Sequence, residues 1–180
     1  MFRILANAGV MLALALAATA AEETPQAPSG DTYVSLQVDK CGDKCAEFEI
    51  QIFDTGRLLF KPNNSKNSTK TPLSKNGMRS VYTRVAKYLQ DTGALTQPAE
   101  CADQKADAPV AIVQSVTSSG VQKATWSAGC SNQIEKARSL VKVFVNQTGM
   151  WRNINHDSRY WEKYWEDPEM TGRSDTSKAP

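Results

Sequence analysis

The chain has 180 residues, 41% of them hydrophobic, a length that suits one domain with a sizeable core and not two. Its 21 lysines and arginines nearly cancel 19 acids, so a formal charge of +2 argues against a general binder of nucleic acid or another polyanion. A single histidine and four cysteines restrict what catalysis or metal binding could draw on.

The chain opens with an export signal. Arg3 precedes an apolar run from Val10 to Ala18, and Ala18-Thr19-Ala20 places small residues where a signal peptidase reads. Residues 1–20 are therefore expected to be removed, and the run is too short for a membrane anchor. No cysteine follows it to take a lipid, and no later segment is apolar enough to span a bilayer. The protein is expected in the periplasm or outside the cell, with no integral membrane segment after processing. Its compartment then excludes nucleic acid as a partner and favours disulfides.

Residues 21–31, "AEETPQAPSGD", lack apolar periodicity and read as a disordered lead-in. A single α+β domain is expected over residues 32–152. Val34, Leu36 and Val38 alternate with Ser35, Gln37 and Asp39, the pattern of a half-buried strand. Phe48, Ile50 and Ile52 form a second strand, and Asp54-Thr55-Gly56 turns the chain into a third, Leu58-Leu59-Phe60. Strands joined this tightly are antiparallel. A polar loop follows over residues 61–77, with room for a short edge strand near Lys70 to Leu73.

The period then changes. Met78, Val81, Tyr82, Val85, Tyr88 and Leu89 recur at three and four residues, predicting an amphipathic helix that stops near Gly93. Val110 to Val116 and Val121 to Ala128 predict a hairpin turning at Ser118-Ser119-Gly120. Ser131 or Asn132 is positioned to cap a second helix with the stripe Ile134, Ala137, Leu140, Val141, Phe144 and Val145. The order βββ-α-ββ-α predicts an antiparallel sheet of about five strands with helices on one face. Residues 153–168 are expected to be an aromatic extension with a short helix from Arg159 to Asp167, and residues 169–180 a free polar tail.

Cys41 and Cys45 are expected at the tip of the first hairpin. Their spacing falls within the range of zinc ligands, and Cys101 and Cys130 could complete a set of four, but exported thiolates meet oxidation first. A redox or copper-handling pair, with Lys44 favouring a thiolate and His156 as a further ligand, is the sharper alternative. Such pairs sit where a strand feeds a helix, whereas Cys45 leads into a strand. Structural disulfides fit better, because strand ends joined by a tight turn lie near the required Cα separation of about 5.5 Å. Four cysteines allow three pairings; 41–45 with 101–130 is preferred, with no cofactor.

The order strand, Cys-x3-Cys, aromatic, Ile-x-Ile and Asp-x-Gly, on Cys41, Cys45, Phe48, Ile50, Ile52, Asp54 and Gly56, resembles a family of bacterial exported domains of unknown function. That family is marked by Cys-x-Gly-x-Cys-Pro at a hairpin tip, and the likeness covers roughly residues 32–151. Here glycine falls at Gly42, Asp43 takes the middle position, and Ala46 stands in place of proline. The resemblance implies a bacterial source and an envelope location, with no activity or catalytic residue attached.

His156-Asp157-Ser158 has the letters of a triad, but sequence neighbours cannot take a triad's mutual positions. No phosphate loop, HExxH helix or exposed-serine elbow is present, which makes a binding module the leading reading and an enzyme the lesser one. Two binding surfaces suggest themselves. Thr55 to Gln90 contains no acid and carries Lys61, Lys66, Lys70, Lys75 and Arg79 among its cations. The second is "RYWEKYWED", where Tyr160 with Tyr164 and Trp161 with Trp165 would form two rows on a helix, either packed on the domain or open to a ligand. An envelope protein or polymer is the expected partner.

Overall fold

Alternation in the first strand decides the layering. In β1 (Tyr33–Asp39), Val34, Leu36 and Val38 point to one face and are almost completely buried. They meet Ile52, Ile50 and Phe48 of β2 (Phe48–Phe53) in antiparallel register. The computed structural model describes residues 31–40, 46–63, 72–154 and residue 165. The expected leader, most of the lead-in and the tail fall outside that range, as do Cys41, Cys45, Lys66, Lys70, His156, Tyr160, Trp161 and Tyr164.

The chain turns after β2 at Gly56, whose φ of 91° suits glycine and whose added Cβ would stand 2.9 Å from the Gly77 carbonyl oxygen. β3 (Arg57–Pro62) and the four-residue β4 (Leu73–Asn76) continue the meander outward. α1 (Arg79–Asp91) then crosses back over β1 and β2. A long connection over residues 92–109 leads to β5 (Val110–Thr117), which pairs antiparallel with β1 on its free side. β6 (Gly120–Ser127) forms the outer strand, and α2 (Ile134–Thr148) packs over β1, β5 and β6. A short 3-10 turn, Met150–Asn153, follows.

The class is α+β, with one antiparallel sheet in the order β4-β3-β2-β1-β5-β6. Six strands replace the expected five because Leu73–Asn76 pairs with β3 at the edge. Both helices cover the same face. Val81, Val85 and Leu89 of α1 share a core with Ala137, Leu140, Val141, Phe144 and Val145 of α2 and the inward residues of the strands. Each fully buried aliphatic or Phe side chain in such a core contributes about 1.5–3 kcal/mol.

Several expectations need correction. Met78 lies before α1 and is 69% exposed, so it is not part of the helix's apolar stripe. Neither Ser131 nor Asn132 caps α2; Gln133 holds the N-cap position and makes no side-chain cap bond. Asp31, assigned to the disordered lead-in, ion-pairs with Arg57 at 2.9 Å. Trp165, in a row that could be packed on the domain or open to a ligand, is 1% exposed and belongs to the main core. A large indole gains more from leaving water than from display on a solvated helix.

The sheet's other face holds a small satellite cluster of Tyr33, Phe53 and Val116 with Leu59 beside it. Arg57 lies 3.8 Å over the Phe53 ring. Burial, reinforced by the charge of Glu49, raises the Tyr33 pKa above its ordinary value of 10.0. Further along, this face turns polar through Gln37, Glu49, Gln51 and Gln114.

Candidate functional site

The polar end of β5 and β6 is where the long connection returns to the sheet. Cys101 and Cys130 are joined by a disulfide across a sequence separation of 29, tying that connection to the start of α2. Gly129 allows the two segments to meet, since a Cβ there would stand 2.4 Å from the Ala108 Cβ. The Lys105 N–H donates to the Gly129 carbonyl at 3.2 Å, and the Ser131 N–H to Asp103 Oδ1 at 3.4 Å. Hydrogen bonds from the Ser131 side chain and backbone hold the Asp103 carboxyl below its ordinary pKa of 3.8.

Two glutamines finish the join. The Thr125 N–H, on the outer edge of β6, donates to Gln97 Oε1 at 3.1 Å. The Ser127 N–H donates to Gln133 Oε1 at 2.9 Å, and Gln133 Nε2 donates to the Ala99 carbonyl at 2.9 Å. Gln133, at the N-cap position, therefore commits its amide to the strand edge and the connection instead of to the helix. These bonds satisfy part of the outer edge of β6, where a second chain could otherwise pair.

Between this braced segment and the strand ends lies a cleft of about 530 Å³. Pro98, Ala99 and Val110 supply its apolar lining, and Gln97, Glu100, Gln104, Thr125, Ser127 and Gln133 its polar lining. Lys40 closes the rim. Its φ of 62° is a left-handed conformation that few residues other than glycine adopt, and Asp39 Oδ1 accepts its N–H at 2.7 Å. The cleft thus combines one cation, one acid, amides and hydroxyls on a covalently anchored frame.

Cys101, Asp103 and Cys130 place a potential ligand atom each within 4.8 Å of one another. The disulfide commits both sulfurs, so a carboxylate alone remains and the trio is not a metal site in this state. For the same reason the 3.4 Å approach of Cys101 Sγ to Asp103 is a contact, because a disulfide sulfur has no proton to donate.

The described cations of the basic stretch do not converge on one surface. Lys61 lies on the open face of the sheet and pairs with Glu49 at 3.2 Å. Lys75 turns to the helix side and donates to the Thr148 carbonyl at 2.8 Å, at the negative end of α2. Arg79 is exposed at the start of α1, Arg84 donates to Gln147, and Lys87 pairs with Asp91. The acids missing from the stretch in sequence thus reach it partly from neighbouring elements, in Asp31 and Glu49.

Sequence reasoning passed over Lys40, Gln97, Glu100, Gln104 and Thr125. One signal was available: a long connection without regular structure that contains Pro98 and an anchoring cysteine. No protein-family model and no curated protein matches the chain. No helix among the described residues is long and apolar enough to cross a membrane.

Proposed function

We propose that the protein is an exported, non-enzymatic binding domain of the bacterial cell envelope, which holds a protein or envelope polymer in the cleft beside β6. The observation that carries this reading is the contrast within the cleft lining. Gln133 and the Gln97 oxygen are committed to holding the frame, while Lys40, Glu100 and the Gln104 amide are engaged by no other described side chain. Polar groups held open on a braced frame suit recognition, because little order is lost when a ligand arrives.

The lining hydroxyls fit recognition better than nucleophilic attack. Ser127 Oγ accepts the Gly129 N–H at 3.1 Å, and no described base hydrogen-bonds to Ser127 or Thr125. Export follows from the leader sequence, and the envelope from the resemblance of the first hairpin. The alternative, thiol redox or copper handling, rests on Cys41 and Cys45, and labelling of those two cysteines by alkylation before unfolding would favour it.

Capture from bacterial envelope extracts tests the proposal. The mature chain should retain a ligand that the variant K40Q/E100Q/Q104A retains at least tenfold less, with both proteins melting at the same temperature. Equal capture by the two would overturn the cleft as the binding site.

A further inference from the structure

Among its described lining residues the cleft carries one charge of each sign. Lys40 and Glu100 both line it, and neither ion-pairs with another described residue. A polyanion is a poor occupant, since Glu100 would repel what Lys40 attracts. A neutral saccharide would leave both charges without partners, and the described lining residues include no aromatic ring for a sugar to stack on.

We propose that the cleft takes a short zwitterionic peptide, its free carboxylate against Lys40 and its free ammonium against Glu100. Between those ends, peptide N–H and C=O groups find complementary partners. Gln97 Nε2 is left to donate once its oxygen has accepted the Thr125 N–H, the Gln104 amide can donate and accept, and the Thr125 hydroxyl can do either. A volume of about 530 Å³ suits a few residues of small side chain. The backbone at Lys40 points the same way: a left-handed conformation where glycine would be relaxed is held for a lysine at the rim.

Such a peptide has two sources in an envelope, a free peptide or one attached to a wall polymer through a side chain, which leaves both of its ends charged. This inference rests on the binding reading above and narrows its ligand.

The test is titration of the mature chain with trialanine, N-acetyl-trialanine and trialanine amide, followed by calorimetry. Trialanine should bind, and blocking either end should weaken binding at least fivefold. In K40Q the amide should bind as well as the free acid, and in E100Q the acetylated peptide as well as the free amine. This pattern assigns each end to its residue. Both side chains are exposed, so neither substitution disturbs the core. Retention of the chain on isolated wall polymer, released by trialanine, identifies the attached source; peptide binding without such retention identifies the free one.

Equal binding of all three peptides, or of none, overturns the assignment. If trialanine fails to bind while K40Q/E100Q/Q104A still loses capture from envelope extract, the peptide class is wrong and the binding cleft stands. If capture is also unchanged, both fail.

Discussion

The helix-covered face of the sheet and the cleft at its β5–β6 end are built on opposite principles. The covered face is apolar at nearly every inward position, from Val34, Leu36 and Val38 through Phe48, Ile50 and Ile52, and its order comes from packing. The cleft has few apolar groups, and its order comes from a disulfide, two glutamine bridges and a close approach at Gly129. Packing of the first kind resists any polar ligand. Bracing of the second kind leaves polar groups available, and the proposed function assigns recognition to that region.

Four perturbations would break or sharpen that contrast. Trp165→Ala should have the largest effect, removing a fully buried indole at a cost of about 3–5 kcal/mol. Urea unfolding would show it, and a loss within about 0.5 kcal/mol would mean that the indole adds little to the core. Replacing Cys101 and Cys130 together by serine should cost about 3–4 kcal/mol, from the loop-closure entropy of a separation of 29 residues. Unlike the tryptophan change, it should also abolish capture at temperatures where the protein stays folded, because it frees the segment that frames the cleft.

Gly129→Ala tests the frame without touching the bond. Its Cβ would meet the Ala108 Cβ at 2.4 Å, so the two segments must separate, with an expected loss of about 1–3 kcal/mol in thermal or urea unfolding. The smallest effect belongs to Asp103. Its folded pKa lies below 3.8, so its contribution to stability is present above that value and lost as pH falls through the folded pKa. The melting temperature of wild type should exceed that of D103N near neutral pH, and the gap should close as pH falls through the depressed folded pKa of Asp103. A constant gap at all pH values would assign the difference to shape instead of charge.

The same contrast explains what could be read in advance. The alternation of Val34, Leu36 and Val38 and the stripe of α2 are local patterns, so strands and helices were legible residue by residue. The edge strand Leu73–Asn76 was less so, because its burial alternates but Leu73 is its single apolar residue, so the sequence carries no period-two signal. Pairing of β5 with β1 brings together residues far apart in the chain, which no local period encodes.

The cleft was illegible for a related reason. Lys40, Glu100 and Thr125 come from three separate segments, and glutamines and threonines at such spacing form no motif. The described part of the acid-free stretch shows the converse. Strand alternation and helix placement send Lys61 and Lys75 to different faces, so closeness in sequence did not become closeness in space. For Trp165, aromatic spacing indicated a helix row but could not tell a packed row from a displayed one.

The most direct test of the division between a packed face and a recognising cleft is amide chemical-shift mapping of the mature chain with envelope extract added. The account predicts shifts confined to Lys40, residues 97–104 and the Thr125–Ser127 end of β6, with α1 and the basic side of the sheet unmoved. Shifts centred on Arg79 and Arg84 of α1, with the cleft silent, would contradict it.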